Sequence, residues 1–77
     1  MKVDIDIHNM SELEALKYLE KYLASLSNDV SEVRVIHGYH SGSSLQEMVR
    51  NRNKLRSKKI YKRKLTMNQG ETILELY

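Results

Sequence analysis

Two groups of polar residues in this chain have the side-chain types that acid–base chemistry requires. Asp6 and His8 stand two residues apart near its beginning, and His37 and His40 stand three residues apart in its middle. A carboxylate beside an imidazole can act as orienter and base around an attacking water, and the same groups can hold a divalent metal. Each group directly follows a run of β-branched residues, so the pairing of those runs decides whether the groups meet.

The hydrophobic pattern predicts the elements that carry these groups. Residues 3–7 alternate apolar and polar side chains, and residues 33–36 form a second β-branched run, so both are predicted strands. Ser11 and Glu14 form a capping box, which predicts that the first helix begins there. Five leucines follow at spacings of three and four and form the predicted apolar stripe of this helix: Leu13, Leu16, Leu19, Leu23 and Leu26.

The second half of the chain completes the predicted fold. A second helix follows residue 44, with Leu45 and Met48 among its inner-face residues. Residues 60–65 and 72–76 are two further predicted strands, joined by a hairpin-like turn. The whole chain of 77 residues is therefore expected to be one α/β domain, a two-layer βαβαββ sandwich with a mixed four-stranded sheet and both helices on one face.

In this order the first two strands are parallel, and their carboxyl ends lie at the edge where open α/β sheets bind ligands. Asp6 and His8 point to the same face of their strand. They are either reactive groups or simply exposed strand residues, with Asp6 bonded to the first helical turn. Together with His37 and His40 they form a candidate ligand set that suits several metals. Metal dependence stays open, with Asp6 as the expected ligand and Mg²⁺ or Mn²⁺ as the candidate ions.

The loop after the second strand has the composition of an anion-binding loop. Gly38 and Gly42 allow backbone N–H groups to approach a ligand closely, and the loop leads into a helix N-terminus. The serines of this loop can cap the helix or donate to a phosphate oxygen. Tyr39 can stack on a base or pack over the neighbouring helix.

Charge is divided unevenly along the chain. Residues 1–47 carry four basic and eight acidic side chains, a net charge of −4, whereas residues 48–77 carry nine basic and two acidic ones, a net charge of +7. All nine of those basic residues lie within positions 50–64. Such a run is either a solvated surface or a binding surface for a polyanion, which would relieve the mutual repulsion.

Composition excludes several classes of site. The chain has no cysteine, which rules out disulfides and thiolate metal centres. A chain of this length can form a small core but no deep cavity, so any site is expected to be shallow and open to solvent. The sequence contains no signal peptide and no apolar run long enough to cross a bilayer, so we expect a cytoplasmic protein without a membrane partner.

These features resemble the small MutS-related (Smr) domain. Residues 5–8 (Ile-Asp-Ile-His) are similar to the L-D-x-H motif on the first strand of that family, and His37, Gly38 and Gly42 are similar to its H-G-x-G-x-G motif. The resemblance extends to residues 68–76 and is greatest for short, stand-alone bacterial members. It implies a fold like the C-terminal domain of translation initiation factor three, and nicking of branched or duplex DNA or cleavage of RNA.

The resemblance also implies roles for residues. It links Asp6 and His8 to cleavage and links His37, Gly38 and Gly42 to nucleic-acid contact. The endonuclease hypothesis adds proton transfer by His37, so Asp6, His8 and His37 are the expected catalytic residues. The second motif and the basic run together supply the expected nucleic-acid-binding residues: Gly38, Tyr39, His40, Gly42, Ser43, Ser44, Arg50, Arg52, Lys54, Lys58 and Lys59.

Three functions are compatible with the sequence. The first is an endonuclease, the second is a nucleic-acid-binding module without chemistry, and the third is an adaptor that docks on the ribosome or on repair proteins. Asn9, His40 and Gln46 depart from the family pattern, and these departures bear on cleavage more than on binding, because phosphate recognition by charge tolerates substitution. We expect a monomer, or a weak dimer paired through an edge strand.

Overall fold

Four strands and two helices form the protein, and the computed structural model describes residues 1–39 and 43–77. The elements in chain order are β1 (Lys2–Asp6), α1 (Glu12–Ser25), β2 (Glu32–Ile36), α2 (Ser44–Arg50), β3 (Ile60–Leu65) and β4 (Glu71–Leu76). The predicted βαβαββ order is confirmed. His40 and Gly42, two of the expected nucleic-acid-binding residues, lie outside the described residues. Within the described ranges, no helix has the length and apolar composition that crossing a membrane requires.

The strands form one mixed sheet in the order β1-β2-β4-β3. β1 and β2 are parallel, with Asp6 beside Ile36, whereas β4 is antiparallel to both β2 and β3. β3 therefore runs in the same direction as β1 and β2. The carboxyl ends of β1, β2 and β3 and the start of β4 consequently lie at one edge of the sheet, which we call the site edge.

The core lies between one face of the sheet and the two helices, which confirms the predicted two-layer sandwich. The predicted capping box of α1 is present, since Ser11 and Glu14 bond each other's backbone N–H groups. The predicted position of Leu13 in the apolar stripe was wrong, because this side chain is 61% exposed. Leu13 is six residues before Leu19, and at 100° per residue this separation places the two side chains about 120° apart around the helix. The buried stripe consists of Ala15, Leu19 and Leu23.

The opposite face of the sheet carries ion pairs. Arg34 lies between two carboxylates, with its Nε 3.8 Å from Asp4 Oδ1 and 3.7 Å from Glu71 Oε2. Because Arg34 and Asp4 are about half exposed, such pairs contribute only about 0–1 kcal/mol each. Asp6 is on the same face of β1 as Asp4, at the site edge.

Candidate functional site

Asp6 and His8 form a hydrogen-bonded pair at the site edge, where β1 ends. Asp6 Oδ1 accepts the backbone N–H of His8 at 3.0 Å and lies 2.5 Å from His8 Nδ1. The backbone hydrogen bond from His8, followed by the one from its side chain, holds the pKa of the Asp6 carboxyl below its usual range. The carboxylate is therefore ionised at neutral pH, and about half of each side chain remains exposed to solvent.

This pair determines which nitrogen of His8 carries the proton. An ionised carboxylate only accepts hydrogen bonds, so Nδ1 of His8 must donate the proton that lies between the two side chains. In the neutral imidazole, Nε2 then holds the lone pair, and it has no hydrogen-bond partner among the residues that the structure describes. His8 thus presents a free acceptor to solvent, while Asp6 orients its ring from the other side.

Gly38 connects the second polar group to the first. Its φ of 70° lies in the left-handed region, which favours glycine, and a Cβ at this position would lie 3.4 Å from His8 Cβ. The backbone N–H groups of His37 and Gly38 both donate to the carbonyl of Gly70 at 2.9 Å. The start of the loop after β2 is therefore held between His8 and the turn that precedes β4.

His37 is in a different environment from His8, because its ring faces the core and the residue is only 2% exposed. Its Nδ1 is 2.8 Å from the Gly38 carbonyl oxygen, and its Nε2 is 2.9 Å from Thr72 Oγ1. Arg50 Nε donates to the same hydroxyl oxygen at 2.8 Å. Burial lowers the pKa of His37, and the charge of Arg50 acts in the same direction, while the hydrogen bond to Gly38 opposes them. The ring is therefore neutral at pH 7.

Only one assignment of donors and acceptors satisfies the three hydrogen bonds of this network. A guanidinium only donates and a carbonyl only accepts. Arg50 therefore donates to the Thr72 oxygen, the Thr72 hydroxyl donates to His37 Nε2, and His37 Nδ1 donates to the Gly38 carbonyl. Proton transfer between His37 and a substrate would first require one of these hydrogen bonds to break. The structure brings Asp6, His8 and Gly38 together, and it directs the His37 ring into the core.

The buried His37 makes stability sensitive to acid. Because burial lowers its pKa in the folded state, the unfolded chain binds more protons as the pH falls below about 6.5. We expect the free energy of unfolding to decrease from about pH 7 towards pH 5, with a slope of at most about 1.4 kcal/mol per pH unit. Asp6, Glu14 and Asp29 have lowered pKa values and lose their stabilising contribution only at lower pH.

Denaturant unfolding at a series of pH values measures this dependence. His37→Gln is the control, because a side chain that does not titrate should remove the slope between pH 7 and pH 5. A wild-type free energy of unfolding that is constant over this range would contradict the expectation.

The basic run divides into side chains that hold the fold together and side chains that are free. Three of the basic side chains donate to backbone carbonyls: Arg50 to that of Glu71, Lys59 to those of Ala24 and Leu26, and Arg63 to those of Val49 and Leu55. Lys59 thereby caps the C-terminus of α1, which has no basic residue in its last turn. Lys54 pairs with Glu12 at 3.8 Å. In contrast, Arg52, Lys58 and Lys62 are exposed and make no side-chain hydrogen bond or ion pair within the described part of the chain.

Two further residues border the site edge. Tyr39 is 49% exposed, and a Cβ on Gly70 would lie 3.6 Å from the ring carbon Cδ1 of Tyr39. Gln46, on α2, donates its side-chain N–H to the carbonyl of Gln69 at 2.9 Å. The turn before β4 is therefore connected both to the loop after β2 and to α2.

The start of α2 bears on the two roles that the sequence left open for the loop serines. Ser43 is the N-cap, but its hydroxyl makes no capping hydrogen bond and donates instead to Glu47 Oε1 at 3.4 Å. Ser44, the first residue of α2, is exposed. Of the two roles that the sequence left open for the loop serines, Ser43 therefore does not have the capping one, and the helix that follows is seven residues long.

Sequence reasoning did not select two residues that matter in the structure. Thr72 connects Arg50 to His37 although it is fully buried, and a lone threonine in an apolar strand gives no sequence signal for that role. Tyr61 lies within a cleft lined by basic residues. An aromatic residue between Lys58 and Lys62 is a sequence signal for nucleic-acid contact that could have found it.

The described residues do not assemble the expected metal-ligand set. Among residues 1–39 and 43–77, no three His, Asp or Glu side chains come together as a group that could hold a metal ion. Both ring nitrogens of His37 are engaged by Gly38 and Thr72, which leaves Asp6 and His8. His40, the fourth member of the expected set, lies outside the described residues.

The Smr domain family model matches residues 5–72 of the chain. The matched span runs from β1 into β4 and contains Asp6, His8, the loop after β2 and the basic run. No curated protein and no solved structure matches the chain.

Proposed function

This chain belongs to the Smr domain family, which is generally nucleic-acid-binding and nuclease-like, and we propose on that premise that it is an endoribonuclease. The observation that carries the proposal is the Asp6–His8 pair, in which an ionised carboxylate orients an exposed imidazole and leaves its Nε2 without a partner among the described residues. A positioned base of this kind typically accelerates proton transfer steps by about 10²–10⁴-fold.

RNA suits a site with one base because it carries its own nucleophile. His8 Nε2 accepts the proton of a 2′-hydroxyl, the 2′-oxygen forms a bond to phosphorus, and the bond between phosphorus and the 5′-oxygen breaks. The leaving 5′-oxygen takes a proton from water, so the products carry a 2′,3′-cyclic phosphate and a 5′-hydroxyl. Asp6 stabilises the imidazolium that forms on His8. DNA has no 2′-hydroxyl and would need a separately positioned water.

In this proposal His37 positions the site and does not react. Its Nδ1 holds the carbonyl of Gly38, and Gly38 lies against His8. The exposed cations after α2, among them Arg52 and Lys54, attract the phosphate backbone, so affinity should fall as salt rises. The proposed steps involve only side chains and the RNA, because the 2′-hydroxyl supplies the nucleophile and His8 supplies the base.

A cleavage assay with three labelled single strands of one sequence tests this function. The strands are RNA, DNA, and RNA with a single 2′-deoxy substitution at the main cleavage position. We expect the RNA to be cut to 2′,3′-cyclic phosphate ends at similar rates with Mg²⁺, with Mn²⁺ and with a chelator. The single 2′-deoxy substitution should protect its position, and the DNA should remain intact.

Other outcomes of the assay would contradict the proposal in different ways. Cleavage of the DNA strand, or loss of cleavage with the chelator, would contradict the proposed chemistry. Binding of RNA without cleavage under any metal condition would leave a recognition module. Capture of a ribosomal or repair protein that survives nuclease treatment, without RNA binding, would favour an adaptor.

A further inference from the structure

A second set of side chains suited to binding nucleic acid lies on the opposite side of the protein from Asp6 and His8. A cleft of roughly 490 Å³ lies between the chain segment after α2 and the start of β3. We call it the basic cleft, and its polar lining consists of Arg52, Arg56, Ser57, Lys58, Tyr61 and Arg63. Four of these six side chains are cationic, and no acidic residue is among its described lining residues.

The donors of the basic cleft are largely unused by the protein. Arg56 donates only its Nε, to the Asn53 carbonyl at 3.2 Å, so its two terminal NH₂ groups have no partner in the described ranges. Lys58 has no hydrogen bond or ion pair there either. Ser57 Oγ accepts the backbone N–H of Lys59 at 3.2 Å, which leaves its hydroxyl proton for another acceptor. These are the donor types that bind phosphate oxygens.

No carboxylate among the described lining residues compensates the repulsion between the cations of the cleft. Arg63 donates to the carbonyls of Val49 and Leu55, so its charge is held in the wall of the cleft. Burial, followed by the nearby charge of Arg52, lowers the pKa of Arg63. A bound anion would relieve this repulsion, whereas water only screens it.

Tyr61 provides a surface for bases beside these cations. Its side chain is 61% exposed, and its ring packs against the ring of Tyr77 in a T-shaped arrangement with a centroid distance of 5.2 Å and an interplanar angle of 71°. Exposed aromatic rings beside phosphate-binding cations are how proteins hold single strands, since every unstacked base offers a flat face. A duplex keeps its bases stacked and offers only its backbone.

Together these features identify one type of ligand. We infer that the basic cleft binds a single-stranded segment of the nucleic-acid substrate, with phosphates on Arg56 and Lys58 and a base against Tyr61. This inference rests on the proposed function, because it places a distant part of the same substrate. β1 and β3 are the two outermost strands of the sheet. The spacing between strands and the rise along them therefore put Tyr61 roughly 20 Å from Asp6. The segment therefore lies well outside the reacting nucleotides.

A shallow groove leads from the basic cleft towards the site edge. Arg52 lines both the basic cleft and a shallow groove beside α2, which also includes Gln46, Glu47 and Arg50. Gln46 bonds the turn at the site edge. The groove therefore extends from the basic cleft along α2 towards the turn at the site edge.

Fluorescence anisotropy with matched charge variants tests the inference. The probes are labelled single strands of about 16 nucleotides, the upper end of common site sizes, made of DNA and of 2′-O-methyl RNA, neither of which offers a 2′-hydroxyl nucleophile. The test variant is Arg56→Gln with Lys58→Gln. The control is Lys17→Gln with Lys21→Gln, an equal charge change at exposed positions of α1.

We expect the test variant to bind about tenfold more weakly or worse near physiological salt. Its slope of log affinity against log salt should be shallower by about 1.4, the value for two phosphate contacts to a single strand. The control should bind like wild type. Equal losses in the two variants, or none in the test variant, would overturn the inference while leaving the proposed function intact. Wild type that binds neither probe would overturn both.

Tyr61→Leu separates base stacking from charge. We expect it to weaken binding of a normal single strand by about tenfold and to leave binding of an abasic strand unchanged. Equal effects on the two strands would contradict a base at Tyr61. Wild-type binding to a duplex as tight as to the single strand would contradict the assignment of a single-stranded segment.

Discussion

His8→Ala is expected to slow RNA cleavage by about 10²–10⁴-fold, the usual contribution of a positioned general base. The reason is that the hydrogen bond between Nδ1 and Asp6 makes Nε2 the acceptor of the neutral His8 ring. RNA binding should change little, because the imidazole is neutral when it acts as a base and the positive charge of the chain lies in other residues. Single-turnover cleavage and anisotropy, measured on the same preparation, separate the two effects.

Asp6→Asn is expected to slow cleavage by about 10²-fold or more. An asparagine can offer an oxygen to His8 Nδ1, but it cannot stabilise the imidazolium, and its amide can also present N–H groups that favour the wrong tautomer. The matched control is Asp4→Asn, which removes the same charge two residues earlier on the same face of β1. Asp4 is near Arg34 and away from His8, so this variant should cleave like wild type.

Equal rates for wild type, Asp6→Asn and Asp4→Asn would contradict the assignment of the reacting pair. Equal slowing in the two variants would attribute the effect to net charge and would contradict it as well. A far-UV circular dichroism spectrum of each variant checks that the fold is retained. We expect no loss of the fold, because both carboxylates are exposed.

Thr72→Val should lower the free energy of unfolding by about 2–4 kcal/mol. Valine has a similar volume but no hydroxyl, so it leaves His37 Nε2 without a donor and Arg50 Nε without an acceptor. Each buried group that loses its partner costs about 1–3 kcal/mol, and more when it is charged. A protein of this size has a total stability on the order of 4–12 kcal/mol, so the change removes a large fraction of it.

Thr72→Ser is the control because it keeps the hydroxyl and loses only a methyl group. We expect it to cost about 1 kcal/mol, and denaturant unfolding near pH 7 measures both variants. Similar losses for valine and serine would mean that the methyl contact, and not the hydrogen-bond network, holds this part of the core.

The fold was predictable because its signals are local. Residues 3–7 carry their own period-two pattern, and Ser11 and Glu14 are close enough in sequence to form a capping box that the structure confirms. The order of elements then requires parallel pairing of the first two strands, so Asp6 and His37 fall at one edge. Leu13 was the exception, because a spacing rule followed residue by residue drifts around the helix.

The inward direction of the His37 ring was also available in the sequence. His37 has the same parity along the chain as Val33 and Val35, which are both buried, so period two predicts that its ring faces the core. Asp6 has the opposite parity to the buried Ile5, so its side chain lies on the solvent-facing side of the sheet. The two histidines that end the strands therefore differ in environment although both stand at strand ends.

The roles of the individual basic residues could not be predicted from the sequence pattern. The positions of nine cations between 50 and 64 establish a strong positive field from composition alone, because charge adds without regard to conformation. Which of them remain free depends on partners far away in the chain, as for Lys59 with Leu26 and Arg50 with Thr72. The sequence by itself determined the element order, the site edge and the sign of the field. Only the tertiary structure decided which cations hold the fold and which line the basic cleft, since long side chains reach carbonyls that are brought near only by packing.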